Sequence, residues 1–246
     1  MNEEKTKITK KPIRYKRVLI KLGGEAFSGE SLNINPKVVD KIASHIIEIK
    51  KEGVEVAITV GGGNIFRGGS ASKKGMERVT ADNIGMLATV MNGLALQDSL
   101  ERMGAETRVL SAIEMKEVAE PYIRRKAIRH LEKGRIVIFC AGTGSPYFTT
   151  DTSAVIKAKE IDANIIMKAT KVDGVYDKDP MVYSDAKMFD KLTYLEAINR
   201  GVGIIDITAL SYCMDYDMPI AIFNLNPMEN MLRVIRGEKI GTLVDK

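Results

Sequence analysis

Glycine-rich segments that also carry lysine, arginine or threonine recur along this chain. Four of them are residues 21–25 (KLGGE), 61–69 (GGGNIFRGG), 142–151 (GTGSPYFTTD) and 168–176 (KATKVDGVY). Glycine lets main-chain N–H groups approach an anion without a side chain in the way, and cationic and hydroxyl side chains add further donors. The four segments therefore predict a site for a large polyanion.

Two common nucleotide-binding motifs are absent from these segments. Residues 63–70 come nearest to a Walker A loop, but Gly69 occupies the position of the required lysine. Two G-x-G sequences occur in these segments, at residues 61–63 and 142–144. Neither extends to the G-x-G-x-x-G pattern, because Phe66 and Tyr147 occupy the position of the third glycine. The sequence therefore argues against a P-loop and against a dinucleotide-binding fingerprint.

The inventory of reactive side chains favours one type of chemistry. The two histidines, His45 and His130, fall in predicted helices, where ordinary helix histidines are expected, and no nucleophile with a partner base is present. Phosphoryl transfer needs positioning and neutralised charge rather than covalent help. A phosphate monoester acceptor, with a second pKa of about 6, is ionised at pH 7 and needs no general base. The inventory fits in-line transfer to a phosphate without a protein nucleophile.

The glycine-rich segments follow predicted β-strands. Apolar and β-branched runs predict strands at residues 17–21, 54–60, 107–110, 135–141, 164–168 and 219–225. Periodicity and capping residues predict helices at residues 36–52, 81–103, 122–132, 151–160 and 226–236. This alternation predicts an α/β fold, a three-layer αβα sandwich with a mostly parallel central sheet. Ligands of such sheets bind beyond the carboxyl ends of the strands.

The net charge of +5 arises at the N-terminal end of the chain. Of 37 basic and 32 acidic residues, the first 17 positions hold seven and two, so the rest of the chain carries 30 of each. A nucleic-acid surface needs its excess charge on the folded face, so no specific nucleic-acid binding is expected. We expect residues 1–14 to form a basic, flexible tail and residues 15–246 to form a single domain.

Composition also bears on location. The chain is 45% apolar, yet no apolar run approaches the roughly 20 residues that span a bilayer, so no membrane helix is expected. No apolar stretch follows the basic N-terminal residues, which argues against a secretory signal. Cys140 and Cys213 lack metal-ligand spacing and are expected to be reduced core thiols of a cytoplasmic protein.

Five sequence blocks resemble the bacterial UMP kinase branch of the amino-acid kinase family: residues 21–26, 61–68, 82–92, 142–151 and 168–176. The blocks occur in the order found in that family. The resemblance implies ATP-dependent phosphorylation of UMP to UDP in pyrimidine nucleotide biosynthesis, with Mg²⁺ accompanying ATP. It also implies an αβα fold that assembles as a homohexamer.

The resemblance assigns roles to individual positions. The residues expected to bind ATP are Lys21, Gly23, Gly24, Gly63, Arg67, Thr170, Tyr176 and Asp179. The residues expected to bind UMP are Gly62, Arg67, Asp82, Thr143, Gly144, Ser145, Pro146, Tyr147, Phe148, Thr149 and Thr150. The residues expected to act in catalysis are Lys21, Arg67, Asp151 and Lys168. No side chain is assigned as a metal ligand.

The chain departs from the family pattern at four places. Gly23 replaces a serine, Ser145 replaces an asparagine in the loop expected to meet uracil, and Asn164 replaces an acidic residue. Serine reaches less far toward a base edge than asparagine, so uracil selectivity is less firmly implied than the fold. Residues 28–35 are one residue shorter than the stretch that relatives link to GTP activation, so GTP activation is not carried over.

Several of these residues are also compatible with purely structural roles. Asp82 and Asp151 suit helix N-caps, and Tyr176 suits an ordinary core position. An apolar stripe is expected to pack in the core or at a subunit contact, and its members are Met86, Leu87, Val90, Met91 and Leu94.

Two other functions are compatible with the same fold. A carboxylate or carbamate kinase is disfavoured by the aromatic and threonine-rich residues 147–150. A nucleotide-binding protein that stores an oxyanion is disfavoured because Lys21, Arg67, Asp82 and Asp151 are all retained.

Overall fold

Short apolar runs of the sequence form the strands of one sheet in the computed structural model, which describes residues 12–30 and 33–246. Within these residues the strands are β1 (Arg17–Leu22), β2 (Glu55–Val60), β3 (Thr107–Ser111), β4 (Glu120–Pro121), β5 (Ile136–Cys140), β6 (Ile165–Thr170), β7 (Lys191–Thr193), β8 (Ile220–Asn224) and β9 (Thr242–Asp245). Their order is β4-β3-β5-β2-β1-β6-β8-β9-β7. Among the described strands only β8 and β9 pair antiparallel, so the mostly parallel sheet is confirmed.

Helices cover both faces of this sheet. In the described part of the chain they are α1 (Pro36–Lys51), α2 (Gly68–Lys73), α3 (Arg78–Arg102), α4 (Arg124–Glu132), α5 (Thr150–Glu160), α6 (Tyr194–Asn199), α7 (Ile207–Asp215) and α8 (Asn230–Ile235). Residues of α1, α3 and α8 pack into the core on one face, and residues of α4, α5, α6 and α7 pack into the core on the other. The predicted three-layer αβα sandwich is confirmed.

The central strand β1 shows how the sheet places a charged residue. Val18, Ile20 and Leu22 are buried in the core beneath α1 and α3, whereas Leu19 is buried in the core beneath α5. Because side chains alternate along a strand, Lys21 emerges on the same face as Leu19. The apolar alternation of β1 therefore determines the face on which Lys21 meets α5.

Local capping signals place the start of α1 as predicted. Asn35 is extended, and its side chain accepts a hydrogen bond from the main-chain N–H of Lys37 at 3.1 Å. Pro36 occupies the first helical position, where its missing N–H costs nothing. The helix ends at Lys51, and Gly53 follows in the left-handed conformation with φ +82°.

The prediction that a long last helix begins at residue 226 is wrong. The helix α8 begins only at Asn230 and has six residues. Side chains hold the preceding loop: Oδ1 of Asn224 accepts from the N–H of Asn226 at 3.0 Å, and Nδ2 of Asn230 donates to the carbonyl of Asn224 at 3.0 Å. Such local side-chain bonds compete with helix formation.

Part of the expected N-terminal tail is not covered by the structure. Residues 1–11 lie outside the described residues, so the tail stays a prediction. Ser31 and Leu32, within the stretch that departs from the family pattern, also lie outside them. None of the described helices is both long enough and apolar enough to cross a membrane.

Candidate active site

Two lysines lie side by side at the carboxyl ends of the central strands. Lys21 of β1 and Lys168 of β6 are register partners in the parallel pairing of these strands. Both ammonium groups meet Asp151, which lies in the first turn of α5. The start of α5 is held by Thr149, whose hydroxyl accepts from the N–H groups of Asp151 and Thr152 at 3.0 and 3.2 Å. Thr149, not Asp151, is therefore the N-cap.

The carboxylate of Asp151 joins the two ammonium groups into one cluster. Nζ of Lys21 lies 2.9 Å from Oδ1 of Asp151. Nζ of Lys168 donates to Oδ2 of Asp151 and to the main-chain carbonyl of Ile204. The side chains of Lys21, Asp151 and Lys168 are 12%, 13% and 8% exposed. This Lys21–Asp151–Lys168 cluster is nearly buried and carries two positive charges against one negative charge.

Burial and charge act in opposite directions on these groups. Burial alone would raise the pKa of Asp151, but the charges of Lys21 and Lys168 prevail and hold it below its usual value. Burial lowers the pKa of Lys168, the charge of Asp151 opposes that effect, and the charge of Lys21 adds to it. Asp151 is therefore ionised at neutral pH and is suited to orient the lysines rather than to accept a proton.

The glycine turns after β1 and β2 pack directly against each other. A Cβ atom on Gly24 would lie 2.5 Å from Oδ1 of Asn64 and 2.5 Å from the N of Gly63. A Cβ atom on Gly62 would lie 2.7 Å from the carbonyl of Gly85 in α3. These two positions require glycine because the backbones approach too closely for any side chain. Gly23 has open space around it, so the serine of the family pattern would fit there.

A large cavity opens above these turns. Its volume is about 1220 Å³, and we call it the central cavity. It brings together six of the eight residues expected to bind ATP: Lys21, Gly23, Gly24, Gly63, Arg67 and Thr170. Lys168 also lines it, whereas Asp151 is not among its lining residues. The carboxylate lies behind the two lysines, and the lysines face the cavity.

The other two residues expected to bind ATP line an adjoining cavity. Tyr176 and Asp179 line a volume of about 660 Å³, the Tyr176 cavity. It shares Val172, Gly203 and Ile204 with the central cavity. Tyr176 is therefore not an ordinary core residue, and an elongated ligand could extend from one cavity into the other.

A third cavity borders the glycine turn after β2, where Gly62 and Gly63 also line the central cavity. Its volume is about 360 Å³, and we call it the Asp82 cavity. The residues expected to bind UMP that line it are Gly62, Arg67, Asp82, Thr143, Ser145, Phe148, Thr149 and Thr150. Gly144, Pro146 and Tyr147 are not among its lining residues. Gly144, with φ +80°, packs against Ala112 instead, where an added Cβ would lie 3.0 Å from the carbonyl of Ala112.

Asp82 of α3 binds the loop of residues 143–148, which contains Ser145 and is expected to meet uracil. Its Oδ2 accepts from Nε of Arg78 at 2.7 Å and from the N–H of Tyr147 at 2.8 Å. The alternative that Asp82 caps the helix is wrong, because Glu77 is the N-cap and accepts from the N–H of Thr80 at 3.1 Å. Sequence reasoning missed Arg78, although its i,i+4 spacing to Asp82 on one helix was a usable signal.

Sequence reasoning also missed Glu25. Its carboxylate accepts from the guanidinium of Arg67, and its other oxygen lies 2.9 Å from Nζ of Lys171. Nε of Arg67 also donates to the carbonyl of Gly63 at 3.2 Å. All of these residues line the central cavity, so Glu25 sets the positions of two cations there.

Asp206 is a third residue that sequence reasoning missed. It caps α7, accepting from the N–H of Ala209 at 2.8 Å, and it also accepts from the hydroxyls of Thr149 and Thr152. The starts of α5 and α7 are thereby tied together behind Asp151. An aspartate directly before an apolar run is a recognisable capping signal.

The structure explains one departure from the family pattern. Oδ1 of Asn164 accepts from the main-chain N–H groups of Lys16 and Arg17, each at 2.9 Å. Asparagine thus retains the acceptor oxygen that an acidic residue would supply at the start of β1.

Comparisons with known proteins agree with this geometry. The amino acid kinase family profile matches residues 16–224. A solved UMP kinase from Bacillus anthracis is 43% identical with a TM-score of 0.90, and the match covers 94% of this chain and 96% of that chain. A solved UMP kinase from Ureaplasma parvum is 36% identical with a TM-score of 0.88, and the match covers 95% of this chain and 100% of that chain. A uridylate kinase from Archaeoglobus fulgidus is 26% identical, with a TM-score of 0.71 and coverage of 92% and 99%.

Proposed function

This chain belongs to the amino acid kinase family, and from that premise we propose that it transfers the γ-phosphoryl group of ATP to UMP, giving ADP and UDP. The proposal draws on the activity of the two bacterial relatives and on the cavities of this chain. Kinases of carboxylates or carbamates and oxyanion-storing proteins are not favoured, since these relatives at 43% and 36% identity are UMP kinases.

One observation carries the proposal. The central cavity and the Asp82 cavity share four lining residues: Gly62, Gly63, Arg67 and Thr150. Two nucleotides whose phosphates meet at this shared wall would face each other from opposite sides. The Tyr176 cavity adjoins the central cavity at Val172, Gly203 and Ile204 and would receive the adenosine of ATP. Holding two reactants in line removes much of the entropic barrier to their reaction.

The reaction needs no proton transfer by the protein. An oxygen of the UMP phosphate attacks the γ-phosphorus while the bond from that phosphorus to the bridging oxygen breaks, and ADP leaves with the electron pair. The ammonium groups of Lys21 and Lys168, which line the central cavity, would stabilise the negative charge that accumulates during transfer. Asp151 does not touch the substrates in this scheme; its charge favours the protonated form of Lys168, and its carboxylate aligns both lysines.

Mg²⁺ is proposed to accompany ATP. Among the described residues, no group of three or more His, Cys, Asp or Glu side chains is arranged to hold a metal ion. Three acidic side chains near the glycine turns, Glu25, Asp82 and Asp151, are already paired with cations. This donor set fits an ion held mainly by phosphate oxygens and water, as Mg²⁺ often is. When bound, the ion would neutralise part of the negative charge of the phosphates.

The loop of residues 143–148 is proposed to meet uracil. The hydroxyl of Thr143 donates to the carbonyl of Ser145 at 3.1 Å and accepts from its N–H at 3.2 Å. This closed turn presents the side chain of Ser145 to the Asp82 cavity. The carboxylate of Asp82, on the same wall, would accept from the ribose hydroxyls.

We also propose that the protein assembles as a homohexamer, which the family resemblance implies. Leu87 and Met91 lie one turn apart on α3 and are 51% and 52% exposed. The opposite side of the helix is buried in the core. An exposed apolar stripe of this kind is typical of a subunit contact. Sedimentation of wild type and of Leu87→Glu tests this: the variant should dissociate, and a monomeric wild type would contradict the proposal.

The pathway is proposed from the chemistry of the substrate and product, and the cellular location is proposed from the cysteines. UMP and UDP are pyrimidine nucleotides, so we propose a role in pyrimidine nucleotide biosynthesis. A cytoplasmic location is proposed on the ground that Cys140 and Cys213 are both free and buried, as expected for a reducing compartment.

The decisive assay measures ADP release with a panel of acceptors. UMP, CMP, dTMP and AMP are compared at equal concentration with ATP and Mg²⁺. We expect UMP to be strongly preferred and UDP to appear in step with ADP. Equal rates with all four acceptors, or no ADP release with UMP, would overturn the proposal. Lys21→Ala serves as the control for contaminating kinases.

A further inference from the structure

Two asparagines form a closed pair between the glycine turn after β2 and the middle of α3. Nδ2 of Asn92 donates to Oδ1 of Asn64 at 2.7 Å, and Nδ2 of Asn64 donates to Oδ1 of Asn92 at 3.0 Å. Asn92 also donates to the carbonyl of Gly61 at 2.7 Å, and Asn64 donates to the carbonyl of Asn33 at 2.6 Å. All four amide N–H groups and both amide oxygens are therefore bonded.

The pair lies where the two phosphate-binding turns meet. The carbonyl that Asn92 binds belongs to Gly61, the first residue of the turn that lines both the central and the Asp82 cavities. Oδ1 of Asn64 lies against Gly24 of the other turn, so closely that a Cβ atom there would be 2.5 Å away. One amide pair thus touches the turn after β1 and fixes the turn after β2.

We propose that Asn64 and Asn92 are positioning residues that set the distance between the glycine turn after β1 and the glycine turn after β2. The inference rests on the proposed function, because it assigns the turns to the two substrates. Neither asparagine contacts a reacting group. They act through the backbone of Gly61 and the close approach of Gly24.

The burial of the pair explains why its loss should matter. Asn92 is fully buried. A buried polar network is stable when every member is bonded, and it becomes costly when one partner is removed. Asn92→Ala leaves the carbonyl of Gly61 and the amide of Asn64 without their partner, so the turn is free to shift. A displacement of about 1 Å between reacting groups can lower a rate by roughly a hundredfold.

The first measurement is steady-state kinetics, which shows whether kcat falls while KM stays nearly constant. In Asn92→Ala we expect kcat to fall by about tenfold to a hundredfold, with KM for ATP and UMP within about threefold of wild type. Asn64→Ala, a substitution in a partly exposed turn, should show the same split. The double variant should be less impaired than the product of the two single effects, because both changes remove the same pair of amide–amide bonds.

A matched control separates positioning from a general loss of stability. Ser99 is buried on the same helix, and its hydroxyl donates to Oδ1 of Asp40 at 2.6 Å; neither residue lines any of the three cavities. Ser99→Ala should lower the melting temperature and leave kcat within about twofold of wild type. The two variants are compared by the loss of kcat that accompanies a given loss of melting temperature. If this relation is the same in Asn92→Ala and Ser99→Ala, the proposal is overturned.

Hydrogen exchange supplies a readout that does not depend on activity. We expect the amides of residues 23–24 and 61–64 to exchange at least tenfold faster in Asn92→Ala, and at the wild-type rate in Ser99→Ala. Unchanged exchange at both turns would refute the inference. A wild-type protein that releases no ADP with UMP would refute the proposed function, and the exchange rates would still decide whether the pair locks the turns.

Discussion

The ammonium nitrogen of Lys21 lies 2.9 Å from a carboxylate oxygen of Asp151, and both side chains are almost buried. Lys21 comes from the central strand β1, and Asp151 comes from the first turn of α5. The carboxylate is directed at the lysines and not at the cavity, so it keeps two positive charges close together at low exposure. Because two positive charges are held side by side, Lys21 and Lys168 are suited to stabilise the negative charge of a phosphoryl group during its transfer.

Replacing Lys21 by alanine removes a charge that acts mainly in the transition state. We expect kcat to fall by about a hundredfold or more, while KM for UMP changes little. The measurement is steady-state kinetics with each substrate varied in turn.

Lys157→Ala is a suitable control for the Lys21 substitution. Lys157 is also nearly buried, with its Nζ 3.1 Å from Glu160 and 3.3 Å from the ring centre of Tyr122, but it lies outside the three cavities. Its loss should reduce stability without a comparable loss of kcat. Near-normal turnover in Lys21→Ala would disprove the assigned role.

Replacing Asp151 by asparagine should change the pH dependence of the reaction. The charge of Asp151 raises the pKa of Lys168 against the effect of burial, so removing that charge lowers the pKa of Lys168 further. Lys168 then loses its proton at lower pH. The alkaline limb of the kcat profile should therefore move to lower pH, in addition to an overall loss of rate. A limb that stays in place, or moves to higher pH, would show that Asp151 does not sustain the charge of Lys168.

Ionisation of the acceptor should control the acid side of the profile. If the dianion of UMP attacks without a protein base, kcat/KM for UMP falls as pH drops through about 6, the second pKa of a phosphate monoester. Uridine 5′-thiophosphate, which ionises at lower pH, should move this limb to lower pH. A limb that keeps the same position with both acceptors would point instead to a group on the protein.

Asp206→Ala should affect activity through the start of α5. The substitution removes the cap of α7 and the partner of Thr149, which in turn caps α5 beside Asp151. We expect a lower melting temperature, corresponding to about 1 kcal/mol for the lost cap, and a roughly tenfold lower kcat. Thr193→Ala removes the cap of α6 and serves as the comparison. Equal kcat values in the two variants would contradict this coupling.

Much of the fold follows from local sequence signals. The apolar runs that became β1, β2, β5 and β6 are buried on both faces, and such runs identify central parallel strands well. Asn35 and Pro36 identified the start of α1 because a cap depends on neighbouring residues alone. The sequence predicts no element bounds for the region that contains β7, α6, α7 and β9, because elements of only three to nine residues are too short to show a clear period.

The candidate site was predicted less completely than the fold. Lys21 and Arg67 were predicted as site residues because their glycine-rich blocks point to an anion, and both line the central cavity. Glu25 and Asp206 were missed because their partners are distant in sequence and are brought close by folding. Arg78 was missed although its partner Asp82 lies only one turn away on the same helix. Periodicity reports which face of an element is buried, but it does not report which carboxylate meets which cation.

The most direct test of the central claim uses one molecule in which adenosine and uridine are joined 5′ to 5′ through a chain of five phosphates. If the three cavities hold two nucleotides with their phosphates meeting at the wall shared by Gly62, Gly63, Arg67 and Thr150, this compound occupies both sites at once. The measurement is its inhibition constant and its inhibition pattern against each substrate. We predict competition with both ATP and UMP, and binding at least about a hundredfold tighter than that of UMP. Competition with only one substrate, or affinity no higher than that of a single nucleotide, would contradict the claim.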